Sequence, residues 1–167
     1  MSPSRVDALF REHGADVLAY ALRRTDPGSA EDVVAEVFLI AWRRADRVPD
    51  TDPVLWLYAV ARRILANQRR AARRREALLN VLRPLTDRQQ DVGEPGGSTL
   101  TIALGRLRRD DLEVLMLTAW EGLDAARAAA VLGCSPQAVH TRLHRARARL
   151  RIELDRETVE VSEVSIA

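Results

Sequence analysis

Between residues 4 and 25 the apolar side chains Val6, Leu9, Phe10, Val17, Ala21 and Leu22 return at helical spacing, leaving Arg5, Arg11 and Glu12 on the other side. That period predicts an amphipathic helix. Asp26-Pro27-Gly28 interrupts it, and Ser29, three residues ahead of Asp32, forms a capping-box-like start for a second helix to about Ala45. This helix carries Val33, Val34, Val37, Phe38, Ile40 and Trp42. Asp46 to Asp52 is polar, contains Pro49 and reads as a loop; Asp52-Pro53 then supplies an N-cap and a first-position proline. A third helix follows, with the stripe Trp56, Leu57, Val60, Ala61, Ile64 and Leu65, and continues toward Leu82.

From residue 84 to 99 the periodicity stops and Pro, Gly, Asp, Gln and Ser take over, ending in Gly93-Glu94-Pro95-Gly96-Gly97-Ser98. Such a stretch cannot bury enough apolar surface to offset its ordering entropy and reads as a linker. Beyond it, helical segments are expected near 100–108, 110–121, 123–132 and 136–154. The expectation is all-α: two small helical domains, residues 1–83 and 100–155, joined by a flexible linker at 84–99 and followed by an acidic tail at 156–167.

Composition agrees with this division. Only 4% of the 167 residues are aromatic, which disfavours a β-sandwich, and Ala, Leu, Arg and Glu favour helix. All 26 basic residues are arginine, yet the net charge is only +2, so the distribution of charge matters more than its sum. Residues 53 to 75 hold seven arginines and no acid, directly after an acidic segment. Residues 125 to 152 hold six arginines, two histidines and no acid, after five acids between Asp110 and Asp124. Each half therefore presents a basic face suited to phosphate.

Cys134 is the single cysteine, so no internal disulfide framework exists and a reducing cytoplasm is expected. No signal pattern and no membrane-length apolar run appear, so membrane insertion is not expected. His140 and His144 share the spacing of zinc-protease ligands, but Thr141-Arg142 stands where the glutamate is needed. With no P-loop, nucleophile elbow or dinucleotide glycine pattern either, the chain is expected to be neither an enzyme nor a carrier of a metal or cofactor.

The strongest local motif is a helix-turn-helix. Ala129 is small where two helices approach, Gly133 can take a left-handed turn, and Val139 returns a branched side chain to the core. Ser135-Pro136 caps and starts the second helix, with Val139, Leu143, Ala146 and Leu150 inward and Gln137, His140, Thr141, Arg142, His144, Arg145, Arg147, Arg149 and Arg151 outward. The bland reading is an αα-hairpin with a solvated basic face, which an acid-free run this long argues against. For the first basic run, nucleic-acid contact and ordinary helix-end charge both stay open. Trp56 can be either a core anchor or a stacking surface.

Ala30-Glu31-Asp32-Val33-Val34-Ala35-Glu36-Val37-Phe38-Leu39 resembles the core-polymerase-binding helix of the extracytoplasmic-function sigma factors, and Trp56-Leu57-Tyr58-Ala59-Val60-Ala61-Arg62 resembles the start of their minus-ten-reading helix. The likeness spans roughly residues 6 to 154. It implies that Asp32, Glu36, Phe38, Leu39 and Trp42 meet the clamp helices of the largest subunit of core RNA polymerase. It further implies minus-ten DNA contacts by Arg47, Asp50, Trp56, Arg62, Arg63, Asn67, Arg69 and Arg70, with residues 47–52 as the specificity loop. Minus-thirty-five contacts are implied for Ser135, Gln137, Ala138, His140, Thr141, Arg142, His144 and Arg145. Promoter DNA and an anti-sigma factor are the other partners the resemblance suggests. Ala35, Arg63 and Arg127-Ala128-Ala129 stand where the family usually has Gln, Asn and Glu-Ile-Ala. The competing class is a stand-alone helix-turn-helix repressor or activator that binds a palindrome as a dimer.

Overall fold

The computed structural model describes residues 3–82 and 98–164, so most of the stretch read as a linker lies outside the described residues. The chain divides into two units, residues 1–88 and 89–167, each described by itself. Among the described residues there are seven α-helices and no strand.

The first unit holds α1 (Pro3–Leu22), α2 (Pro27–Arg43), a 3-10 turn (Ala45–Arg47) and α3 (Pro53–Leu82). Each helix packs on the other two, around Val17, Tyr20, Val33, Val37, Leu57 and Leu65. Tyr20, absent from the stripe read in the sequence, is fully buried and stacks on Tyr58 with ring centroids 4.8 Å apart. The Arg24 guanidinium covers Tyr20 at 3.5 Å and donates to the Tyr20 carbonyl at 2.9 Å, closing the end of α1. Phe10 and Leu22, expected inside, are exposed.

The start of α2 differs from the expected capping box. Asp26 is the N-cap, its carboxylate accepting from the Ser29 N–H at 3.0 Å, and Pro27 takes the first turn. That backbone bond, followed by the Ser29 side-chain bond, holds the Asp26 carboxyl below the usual carboxylate range. At the other end Arg47 N–H donates to the Arg44 carbonyl at 2.8 Å, and Val48 is buried. Asp52 has φ 52°, a left-handed conformation outside the extended region of an ordinary N-cap.

The second unit holds α4 (Thr99–Arg106), α5 (Arg109–Ala119), α6 (Ala125–Leu132) and α7 (Pro136–Val164), with α7 packed on the other three. Ser98 caps α4 by accepting from Thr101 N–H, and Asp124 caps α6 by accepting from Arg127 N–H at 2.8 Å. Burial of Leu117 and Val139 contributes on the order of 2 kcal/mol each. Gly133 sits at φ 66° and ψ 40°, with its N–H on the Ala129 carbonyl; a side chain there would strain the turn. Ser135 Oγ accepts from Ala138 N–H at 3.2 Å and so starts α7 as the sequence reading expects.

The end of the last helix differs from the sequence expectation. Instead of stopping near residue 154, α7 runs to Val164, and Glu153 and the buried Glu157 pair with Arg106 of α4. Acids in a final helical turn oppose the helix dipole. Ion pairs to a neighbouring helix outweigh that local preference.

Candidate nucleic-acid interface

Three surfaces gather the residues singled out by sequence. On α2, Asp32, Ala35, Leu39 and Trp42 follow one another at spacings of three or four and are all exposed, Trp42 by 61%. An exposed tryptophan beside an exposed leucine is an apolar patch, and on this helix it lies downstream of Glu31 and Asp32. Phe38 does not belong to it. Its ring is 7% exposed and meets Phe10 edge to face at 4.9 Å, because the α2 position preceding Leu39 turns back toward α1. Glu36 also leaves the patch and turns toward α3.

There Glu36, Arg44, Arg47, Trp56, Arg63 and Asn67 line a cleft of about 410 Å³, floored by Ile40, Val60 and Ile64. Four of these six were named by sequence as minus-ten candidates, and the fold brings them together. Arg44 was missed, although the pair Arg43-Arg44 three residues before Arg47 was the available signal. The cleft holds an aromatic face, an amide and three guanidiniums against one carboxylate, which suits a stacked base and its phosphates. Arg70 continues this side of α3 by donating to the Asn67 side-chain oxygen, and Arg74 lies one turn further on.

Three of the remaining candidates separate from this cleft. Arg69 lines a concavity with Arg24, Thr25, Ser29 and Arg75 on another side of α3, and Arg62 is half-buried. An unbroken run of arginines cannot face one way on a helix of 3.6 residues per turn. Asp50 lies outside the cleft, paired with Arg5.

On α7, Gln137, His140, Thr141, His144 and Arg145 are exposed on the outward side. Thr141 Oγ1 donates to the Gln137 carbonyl at 3.0 Å, which leaves its lone pairs outward. Ser135 works as a cap and Ala138 is half-buried. Arg142 is half-buried as well, and Arg149, seven residues further along the same flank, pairs with the buried Asp111 of α5. Both were expected outward; Arg142 is not fully so, whereas Arg149 stays exposed while making this pair. Replacing Arg149 by Ala strands the Asp111 carboxylate in the core and should cost about 1 to 3 kcal/mol in urea unfolding. Arg145→Ala, on the exposed side, should change stability by less than about 0.5 kcal/mol. Equal unfolding midpoints for the two variants would show that the Arg149 pair contributes nothing.

No group of His, Cys, Asp and Glu among the described residues could hold a metal ion, and no described helix is long and apolar enough to cross a membrane.

Comparison with known families places both halves. Residues 9–75 match sigma-70 region 2 and residues 100–150 match sigma-70 region 4. The cleft therefore lies within the region 2 match and the helix-turn-helix within the region 4 match of a sigma factor. A stand-alone helix-turn-helix regulator is not favoured, since it would leave the whole first unit unexplained.

The chain belongs to the extracytoplasmic-function family of RNA polymerase sigma factors, non-enzymatic initiation factors that direct the polymerase to promoters. It is 34% identical to SigL of Mycobacterium tuberculosis, covering 88% of this chain and 87% of that protein. It is 35% identical to CnrH of Cupriavidus metallidurans, covering 88% and 85%. CnrH solved in complex with the cytosolic domain of CnrY matches with a TM-score of 0.62 at 31% identity, over 92% of this chain and 90% of that one. The sigma factor RpoE of Bartonella quintana, solved with the anti-sigma factor NepR, shares the fold with a TM-score of 0.68 at 24% identity, over 92% and 98%.

Proposed function

We propose a division of labour among the three surfaces. The α2 patch of Asp32, Leu39 and Trp42 docks on the clamp helices of the largest polymerase subunit. The cleft of Arg47, Trp56, Arg63 and Asn67 takes an unstacked base of the minus-ten element. The outward side of α7, with Gln137, His140, Thr141, His144 and Arg145, reads the minus-thirty-five element. In this reading residues 1–83 form the region 2 module and 100–155 the region 4 module, and the factor works in the cell interior without catalysis of its own. An anti-sigma partner, by analogy with the CnrH complex, would compete for the exposed apolar residues of α2.

The observation that supports the reading best is the cleft, which Arg47 and Asn67, 20 apart in sequence, line together with Trp56. Each module alone is small. Held together on one polymerase, each gains effective concentration from the other.

The test is transcription from a library of promoters with purified core enzyme, with and without this protein, beside a Gln137→Ala and Arg145→Ala double variant. Initiation is expected only with the factor present. The double variant should relax minus-thirty-five selectivity while keeping the minus-ten preference, at a cost of about 1 to 3 kcal/mol per lost base contact. Dimeric binding to a palindrome without polymerase, and no stimulated initiation, would overturn the assignment.

A further inference from the structure

We propose that Arg5, in the first turn of α1, is a positioning residue that sets the base selectivity of the minus-ten cleft by holding the loop between α2 and α3. The inference rests on the reading of the cleft given above, and no sequence motif points to it.

Arg5 reaches across the first unit to a segment more than 40 residues away. One of its terminal nitrogens, Nη2, donates to the Val48 carbonyl at 2.9 Å and to Asp50 Oδ1 at 2.6 Å. The two bonds differ in strength. Asp50 is 93% exposed, so water and salt screen its pairing. The bond to the carbonyl is partly buried and charge-assisted, and it fixes the backbone itself. Val48 is pinned a second time because its side chain is buried beneath the loop.

The position of Val48 makes this latch matter. Its neighbour Arg47 lines the cleft, so any shift in the Val48 peptide moves a guanidinium of the proposed base site. Downstream, Asp52 is held at φ 52° immediately before Pro53. A non-glycine residue keeps that conformation only where its surroundings impose it. The loop therefore leaves the 3-10 turn at one end and a strained residue at the other, and Arg5 ties down its middle. Most of the buried side chains of α1, Val17, Tyr20 and Ala21, lie several turns from Arg5, and Leu9 lies one turn away, so the exchange of α1 itself is the control for a loss of packing.

Two measurements test this on the full chain. The first is hydrogen exchange of the free protein, comparing the unmodified chain with Arg5→Ala and Arg5→Lys. Arg5→Ala should speed exchange in residues 47–52 by about tenfold while leaving α2 and α3 unchanged, and Arg5→Lys should restore part of the protection. Unchanged exchange in the loop overturns the latch whatever the cleft does. So does a uniform rise across all three helices, which would mean that Arg5 merely stabilises the fold. The second is initiation with core polymerase on a library randomised in the minus-ten element. Arg5→Ala should flatten the preference at one position about tenfold and leave minus-thirty-five selectivity intact, with Arg5→Lys between. A looser loop with an unaltered preference would show that the latch exists but does not govern selectivity, and overturns the proposal. If the unmodified protein itself shows no minus-ten preference, the reading of the cleft fails first and the proposal falls with it.

Discussion

Initiation at every promoter should fall by at least about a hundredfold when Leu39 and Trp42 are both replaced by Ala, with no change in the folded state. Both side chains are exposed, so their truncation opens no cavity and the unfolding midpoint should stay within the range of ordinary surface substitutions. A buried tryptophan anchor in an interface commonly accounts for 2 kcal/mol or more, and a neighbouring leucine adds to it, which together give the stated factor. Phe38→Ala is the informative contrast. It removes a buried ring packed on Phe10 and should cost about 3 to 5 kcal/mol of stability, so activity is lost there by unfolding. Binding of labelled core enzyme separates the two cases, since the Leu39/Trp42 variant should stay folded and fail to bind. Near-normal affinity in that variant would move the docking surface elsewhere.

The helical architecture was legible because apolar periodicity and cap residues act locally. Gly133, Ser135 and Val139 each do what their residue type and spacing require. What the sequence could not resolve was the direction of side chains within dense runs. Phe38 and Leu39 are adjacent and both apolar, yet one faces α1 and the other solvent. Among the arginines, Arg63 and Arg69 are separated by a helical rotation that puts them in different concavities. Arg149 looked like a phosphate contact because nothing local reveals that Asp111, 38 residues earlier, is buried opposite it. The end of α7 was misread for the same reason: the partner of Glu153 and Glu157 is Arg106, on another helix. Local preference is weak evidence wherever a distant charge can answer it.

Promoter opening should depend on Trp56 in a way that separates stacking from packing. Trp56 is half-buried on the cleft wall, so both a core role and a base-stacking role are physically open to it. Stacking one base on an aromatic side chain contributes about 1 to 3 kcal/mol, so Trp56→Ala should lower open-complex formation roughly fivefold to 150-fold. Trp56→Phe, which keeps a smaller aromatic face, should lie between. Arg63→Ala should act differently. If its guanidinium neutralises phosphate as proposed, the variant should weaken binding to all sequences and reduce the salt slope by about 0.7 for a single strand, leaving base preference alone. A template already unpaired across the minus-ten element removes the cost of melting but not the need for stacking. If Trp56 stacks an extruded base, its variant should regain only part of its activity on that template. If Trp56 is a core anchor, the deficit should track a lowered unfolding midpoint and persist in full on both templates, and the cleft would then hold DNA through its arginines alone.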